Sequence, residues 1–303
     1  MGRAVARALK WGGVAAACLL VLAVAAYAYA IIGFDTETLP AKYGQVGSVL
    51  YATEQSRQPL MVGLGGAEGG NAWARPRFKP IRDRFLEQGY AFLALAYFAG
   101  QDTPAELDRI AVEGVYQAIM AAAEDPRINE NCIAVVGGSK GAELALLLAS
   151  HYPEIKAVVG IVPGHAVFAA HTIAMNTPSF ALNGEALPFV PVPWSAVPAL
   201  IKGDLRAAFE AMLVNEQAVE AAAIAVENIN GPILLLSATR DEFWPSMEMS
   251  SEIVERLREK QFRFVVEHVA VEGGHEAPQG RLDLVDAFLK EHILSQNTDG
   301  CPR

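Results

Sequence analysis

Apolar runs recur along the chain, at Pro59–Leu64, Tyr90–Phe98, Ile133–Val136, Ile155–Val162, Pro232–Ser237 and, with Arg263, Glu267 and His268 among the apolar residues, Phe262–Val271. A strand with one wet face would alternate apolar and polar residues, so Tyr90–Phe98 reads as a strand buried on both faces, Ile155–Val162 as a further buried strand, and the other runs as strands beside them. Helical spacing fills the gaps between them. Pro80–Gln88 predicts a helix that stops at Gly89. Pro104–Asp125 predicts a longer one, with Leu107, Ile110, Ala111, Val115, Ala118, Ile119 and Ala122 on one face despite Gly114. Further helices are expected from Ser139 onward, over Gly203–Val226, Ser246–Lys260 and Arg281–Ser295. Strand–helix alternation of this kind predicts an α/β chain, with a mostly parallel central sheet and helices on both faces.

Two stretches depart from the rhythm. Pro163–Leu200 carries Pro163, Pro178, Pro188, Pro191, Pro193 and Pro198, which exclude long helices and central strands. Phe180, Phe189 and Trp194 among them suggest a packed insertion, a lid or cap spanning about 163–226, rather than a loose linker. At the other end, Trp11–Phe34 runs 24 residues without a charge, long enough to cross a bilayer as a helix. Arg3, Arg7 and Lys10 precede it, so the positive-inside rule places the N-terminus in the cytoplasm and the remainder outside. A retained signal-anchor competes with a signal peptide cut near Ala26-Tyr27-Ala28 or Ala28-Tyr29-Ala30, which would release a secreted form. The apolar run exceeds a usual signal core, which favours the anchor. The organisation expected is a membrane segment at 1–34, a turn-rich tether at 35–57 with an edge strand near Ser48–Thr53, a catalytic domain at 58–296 and a tail at 297–303.

Composition narrows the partners. The formal charge is −10 with lysines and arginines dispersed beyond the N-terminal trio, so nucleic acid is not an expected partner. Three cysteines give no disulfide framework, and no zinc spacing appears among the cysteines and histidines, so neither metal nor cofactor is expected.

The chemistry concentrates at the strand ends. Gly137, Ser139 and Gly141 have the Gly-x-Ser-x-Gly spacing of a nucleophile elbow, with an apolar strand before and a helical pattern after. The residues two before and two after the serine must be small for that turn to close. Past the fifth strand come Asp241 and Glu242, and past the sixth comes His275 after Gly273-Gly274. The order Ser139, Asp241, His275 is that of nucleophile, acid and base in the α/β-hydrolase fold. Glu242 competes with Asp241 for the acid. His165, His171 and His268 are alternatives for the base, His268 within an apparent strand and the other two in the insertion. The amide of Lys140 and that of Gly66 or Ala67, in the glycine-rich loop after the first strand, are the oxyanion donors expected. Lys140 and Glu143 are spaced to pair on the elbow helix. An acyl pocket is expected from the insertion, with Trp73 adjacent; the candidate substrate contacts are Trp73, His165, Phe180, Trp194 and Trp244.

The segments Gly65–Gly70, Ala94–Phe98, Gly137–Leu146, Ile229–Leu236, Asp241–Ser246 and Gly273–His275 together resemble one family. It is the catalytic domain of the acyl-CoA thioesterases and bile acid-CoA:amino acid N-acyltransferases, close to the dienelactone hydrolases, and the likeness covers about Pro59 to Leu294. The resemblance implies acyl transfer from thioesters through a covalent acyl-enzyme, with Ser139 as nucleophile, Asp241 as acid and His275 as base. The transferases of the family carry cysteine where this chain has Ser139, which points to hydrolysis. Its eukaryotic members place a β-sandwich before the catalytic domain, where this chain has a membrane segment and a tether. The expected partner is a small acyl ester or thioester. A carboxylesterase, an acyltransferase and a non-enzymatic binding protein are the alternatives. An extracytoplasmic domain would not meet acyl-CoA, so topology and the family's substrate pull apart.

Overall fold

The computed structural model describes residues 2–294. The chain runs through α1 (Gly2–Ile32), β1 (Gly47–Tyr51), β2 (Gln58–Leu64), α2 (Lys79–Glu87), β3 (Ala91–Ala96), β4 (Ile110–Ala111) and α3 (Val112–Ala123). It continues with β5 (Ile128–Gly138), α4 (Lys140–His151), β6 (Ile155–Ile161), β7 (Phe180–Leu182), β8 (Glu185–Ala186) and α5 (Val197–Lys202). Then follow α6 (Leu205–Leu213), α7 (Glu216–Ala222), β9 (Ile233–Ala238), α8 (Ser246–Glu259), β10 (Val266–Val271) and α9 (Leu282–Leu289). The tail expected at 297–303, with Cys301, lies outside the described residues.

All six predicted strands enter one sheet, in the order β1-β3-β2-β5-β6-β9-β10. Only β1, the expected edge strand, runs antiparallel, against β3; every other pairing in this sheet is parallel. Period-two geometry splits each strand between two cores. Leu60, Val62, Leu93, Leu95, Ile133 and Val135 face the α3, α4 and α8 side. Met61, Phe92, Ala94, Ala134 and Val136 face α2 and α9. Because neither face of the central strands is wet, they lack polar alternation, and every residue of β3 and β9 is buried. β10, at the edge, carries Glu267 and His268 and buries only Val271 fully, so the strand expected at Phe262–Val271 starts at Val266 and has a wet face. β5, the strand that leads into Ser139, sits at the centre.

Three expectations are corrected. The helix predicted over Pro104–Asp125 begins only at Val112. Arg109 takes a positive φ of 43°, and the amides of Arg109 and Ile110 donate to Pro178 O and Ser179 O, so this stretch pairs with the insertion as β4 instead. Its apolar residues are buried, but by a second, three-stranded sheet of order β4-β7-β8. Over Gly203–Val226 the single helix becomes α6 and α7, broken where Asp204 and Asn215 cap each start by accepting from the amides of Ala207 and Ala218. Finally, Cys132, buried at the start of the apolar part of β5, is disulfide-bonded, which the count of three cysteines did not predict.

The tether is fastened to the domain. Arg109 donates to Thr36 O (2.8 Å) and Asp35 O (3.0 Å), and is itself held by Asp108 (2.8 Å). Tyr43 donates to Glu113 Oε1 at 2.7 Å. Gly114 in α3 has its reason here, since a Cβ at that position would stand 2.7 Å from Gly44 Cα. The tether crosses the helix at the one position with no side chain to meet.

Candidate active site

Ser139 occupies the turn between β5 and α4 with φ 53° and ψ −120°, a left-handed conformation that costs a non-glycine residue on the order of 1–3 kcal/mol. The turn closes only because its flanks lack side chains. A Cβ on Gly137 would stand 2.0 Å from Gly141 O, and one on Gly141 would stand 2.4 Å from both Leu64 O and Gly65 O. Ser139 begins α4 without spending its hydroxyl as a helix cap, which leaves Oγ available for other work. The turn is pinned from below by the Ser139 amide donating to Ile161 O at 2.8 Å.

Asp241 and His275 meet across the ends of β9 and β10. His275 Nδ1 lies 2.8 Å from Asp241 Oδ1, and both residues are buried. The same Oδ1 accepts from the amides of Phe243 (3.0 Å) and Trp244 (3.3 Å). Burial pushes the Asp241 carboxyl up, but the hydrogen bond with His275, then the Ser246 hydroxyl, the ring's charge and the Phe243 amide outweigh it and hold the group below the usual carboxylate range. Glu242 has a different position. Its Oε2 accepts from the His275 backbone amide at 2.9 Å and does not touch the ring through any hydrogen bond described. Of the two neighbouring carboxylates, Asp241 holds the imidazole and Glu242 holds the loop.

Ser139 and His275 line one cavity of about 280 Å³, together with Gly65, Gly66, Ala67, Trp73, Phe78, Ile81, Phe243 and Leu282. The loop after β2 approaches Ser139 so closely that a Cβ on Gly66 would stand 3.4 Å from Ser139 Cβ. Tyr97 steadies that loop by donating from its hydroxyl to Gly65 O at 2.5 Å.

The insertion does not wall this cavity, which corrects the expected acyl pocket. Phe180 is fully buried in β7, within the core beneath the second sheet. Trp194 is 81% exposed. His165 lines a separate cavity with Glu220, Ile224 and Arg256. Trp244 stands behind His275, its Nε1 donating to Val162 O at 3.1 Å and its ring packed on Phe168 and Phe209. The apolar walls come instead from the segment Trp73–Ile81, the start of α9, and Phe243, whose ring centroid is 4.7 Å from that of His275. Of these, the sequence had flagged Trp73 alone. His268, the strand-borne alternative, pairs with Ser237 at 2.7 Å and does not line the cavity of Ser139. Among the described residues there is no cluster of three or more His, Cys, Asp or Glu side chains placed to hold a metal ion.

The Lys140–Glu143 pair expected on the elbow helix is present, buried, and reaches further. Lys140 Nζ lies 2.9 Å from Glu143 Oε2 and 3.0 Å from Ser179 Oγ, beneath the rings of Phe168 and Trp244. Glu143 Oε1 accepts from the Phe168 amide at 3.2 Å. Burial pushes Lys140 down and Glu143 up, each opposed by its partner's charge. The first turn of α4 is therefore bolted to residues 168–179 of the insertion. Removing one partner strands the other charge in the core, so Glu143→Ala is expected to destabilise the domain by about 3–5 kcal/mol in a denaturant titration. Unchanged stability would show that the pair is hydrated.

His165 supplies a pH signature. Its Nδ1 is buried without a hydrogen-bond partner, and burial lowers its pKa to about 4. Protonation then favours the unfolded chain, so stability is full above pH 6.5 and falls as pH drops toward 4. Discounted for the partial exposure of the ring, the loss is about 1–2 kcal/mol at pH 4.5. His165→Gln is expected to flatten the thermal-unfolding midpoint over pH 7 to 4.5, relative to wild type; parallel curves would contradict this.

Sheet order, elbow and strand-end residues together define an α/β-hydrolase fold. The family described as BAAT / Acyl-CoA thioester hydrolase C terminal matches residues 112–278, and the chain belongs to that family. Mouse acyl-coenzyme A thioesterase 1 is 26% identical over 223 residues, covering 73% of this chain and 49% of the relative. Human acyl-coenzyme A thioesterase 6 is 38% identical over 121 residues, covering 40% of this chain and 27% of the relative. The chain thus spans about half the length of the curated relatives it matches over most of its own length. Among solved structures, a Mycobacterium tuberculosis puromycin-hydrolyzing peptidase superposes with TM-score 0.57 at 15% identity, covering 85% of this chain and 38% of that one. A Pyrococcus furiosus esterase superposes with TM-score 0.53 at 17% identity, covering 82% of this chain and 91% of that one. At such identities these likenesses speak for the fold alone.

Proposed function

We propose that this chain is a membrane-anchored serine hydrolase that cleaves acyl thioesters or carboxylic esters through an acyl-enzyme. Ser139 Oγ attacks the carbonyl while His275 takes its proton; His275 then returns that proton to the leaving group. Asp241 holds the imidazole in the tautomer that presents Nε2 to the serine and stabilises the imidazolium that forms. The amides of Lys140 and of Gly66 or Ala67 receive the oxyanion, aided by the positive end of α4. Water then repeats the attack on the acyl-enzyme, with His275 as base. The observation that carries the reading is the buried Asp241–His275 pair facing a strained, uncapped Ser139 across one apolar cavity.

Serine at the nucleophile position favours water over an amine as acceptor. For the acyl group, the apolar walls formed by Trp73, Phe78 and Leu282 favour an aliphatic or aromatic chain. The anchor rests on α1, whose window Trp11–Tyr29 has a mean hydropathy of 2.0 and no buried share, the one helix among the described residues long and apolar enough to cross a bilayer. With Arg3, Arg7 and Lys10 inside, the domain faces outward, and the disulfide at Cys132 suits an oxidising compartment. An outward domain would meet leaving groups other than coenzyme A, whereas the relatives are named for acyl-CoA, so the leaving group follows the topology. Full-length protein offered p-nitrophenyl esters and acyl-CoA side by side tests this. Ester turnover that Ser139→Ala abolishes is the expected result; acyl-CoA turnover alone would contradict the outward placement, and turnover of neither would favour a binding protein.

A further inference from the structure

The stretch 186–203 of the insertion contains a single charged residue, Lys202, yet it lies largely at the surface. A 3-10 turn at Trp194–Ala196 runs straight into α5, so Trp194, Pro198 and Ile201 stand at i, i+4 and i+7 on one face. That face is bare: Trp194 and Ile201 are each 81% exposed and Pro198 is exposed, while Ala196 on the other side is fully buried. Soluble surfaces rarely offer tryptophan and isoleucine to water in one row. A lone lysine at the end of such a row is the arrangement found where a helix lies in a membrane interface, its stem among the acyl chains and its ammonium among the headgroups.

The insertion is also tied to the segment that leaves α1. Thr177 donates to Asp108 at 2.7 Å; Asp108 holds Arg109, and Arg109 grips the carbonyls of Asp35 and Thr36. A second tie runs from the Gly184 amide to Tyr43 Oη at 3.0 Å and from the Asn183 amide to Glu113 at 2.9 Å. Asp35 follows the last residue of α1, Ile32, by three positions, a span of roughly 10 Å at most. The insertion is thus fastened to the point where the chain would emerge from the bilayer.

We propose that the face formed by Trp194, Pro198 and Ile201 is a second membrane contact, seated in the interface of the bilayer that α1 spans. The inference rests on the membrane reading of α1. It has a consequence for substrate supply, because α6 follows α5 directly and its Arg206 donates to Asp241 O at 3.1 Å. A cap lying in the interface therefore adjoins the loop that carries the acid, and the proposal brings an acyl substrate dissolved in the bilayer to the side of the domain where that loop lies.

The test uses full-length protein reconstituted into phosphatidylcholine–phosphatidylglycerol vesicles with or without bromine on the acyl chains. Wild type and Trp194→Phe are compared, so that the difference isolates Trp194 from Trp11, Trp73 and Trp244. Trp194 emission is expected to fall at least about twofold in brominated vesicles, as for a ring among acyl chains. Emission quenched by aqueous acrylamide but not by bromine would overturn the proposal. Shielding from both quenchers would also overturn it, in favour of a protein contact such as a second copy of the chain. Ile201→Asp gives an independent readout: KM for a long-chain ester carried in the vesicles is expected to rise about tenfold, since a charge replaces an aliphatic group that the proposal seats in the bilayer, with a water-soluble short ester unaffected. Equal effects on both esters would contradict it. If wild type turns over neither ester, the catalytic reading fails while bromine quenching still decides this one. Protein that does not float with the vesicles would remove the anchor and this contact together.

Discussion

Ser139→Ala is expected to lower kcat on the best ester or thioester by on the order of 10⁶, the loss seen when a triad nucleophile is deleted. Structure should survive the change. Alanine removes one oxygen from a side chain that caps nothing, and it leaves the left-handed φ of 53° no more strained than before. KM should change little, because the cavity walls are untouched. Stopped-flow release of p-nitrophenol reads the effect directly: wild type shows a burst of acylation, and the variant shows none. A variant within tenfold of wild type would remove Ser139 from the chemistry. The same logic predicts that Ser139→Cys retains an acyl-enzyme, since the elbow geometry depends on Gly137 and Gly141 rather than on the nucleophile.

The second large effect separates two adjacent carboxylates. Asp241→Asn keeps the shape of the side chain but places an amide against His275 Nδ1, which lies 2.8 Å away. The amide's NH2 group favours the wrong tautomer, with the proton on Nε2, and kcat is expected to fall about 10⁴-fold. Glu242→Gln disturbs only the bond to the His275 backbone amide and should cost less than about tenfold. The two variants are neighbours in sequence and similar in chemistry, so a contrast of three orders of magnitude cannot come from general destabilisation. The reverse contrast would transfer the role of acid to Glu242. Activity of wild type should also persist into mildly acidic buffer as far as Asp241 is concerned, because its carboxyl is held below the ordinary range and stays ionised.

What the sequence made legible follows from which signals are local. Strands buried on both faces announce themselves as apolar runs, which made the central strands readable, as was the strand-end position of Asp241 and His275. The edge strand β10, with Glu267 and His268 in it, was readable only from its place in the strand–helix rhythm. Leu107, Ile110 and Ala111 misled because burial imposes the same residue types on a helix face and on an irregular buried segment; only the partner, Pro178–Ser179, decides between them. The insertion misled in a related way. Phe180 and Trp194 are both aromatic residues in a proline-rich stretch, yet one is sealed under the second sheet and the other stands in the open. Composition shows that such residues must be placed somewhere, but direction depends on contacts made by distant parts of the chain. The cavity walls at Phe78, Ile81 and Leu282 were invisible for the same reason, since each reads as an ordinary apolar position on a turn or helix. Phe243 carried the one usable signal, its place two residues after Asp241 in the loop that holds His275. Lys140 and Glu143 were legible as a pair and illegible as a buried one, because their spacing says nothing of Ser179 and Phe168 above them.

The central claim is that Ser139 becomes covalently acylated in turnover. Incubating the full-length protein with a fluorophosphonate, or quenching it in acid during ester turnover, and mapping the adduct by peptide mass spectrometry tests that claim most directly. The account predicts a stoichiometric adduct on the peptide carrying Ser139, lost in His275→Ala because the serine is then no longer activated. Turnover with Ser139 unmodified, or an adduct on another residue, would contradict it.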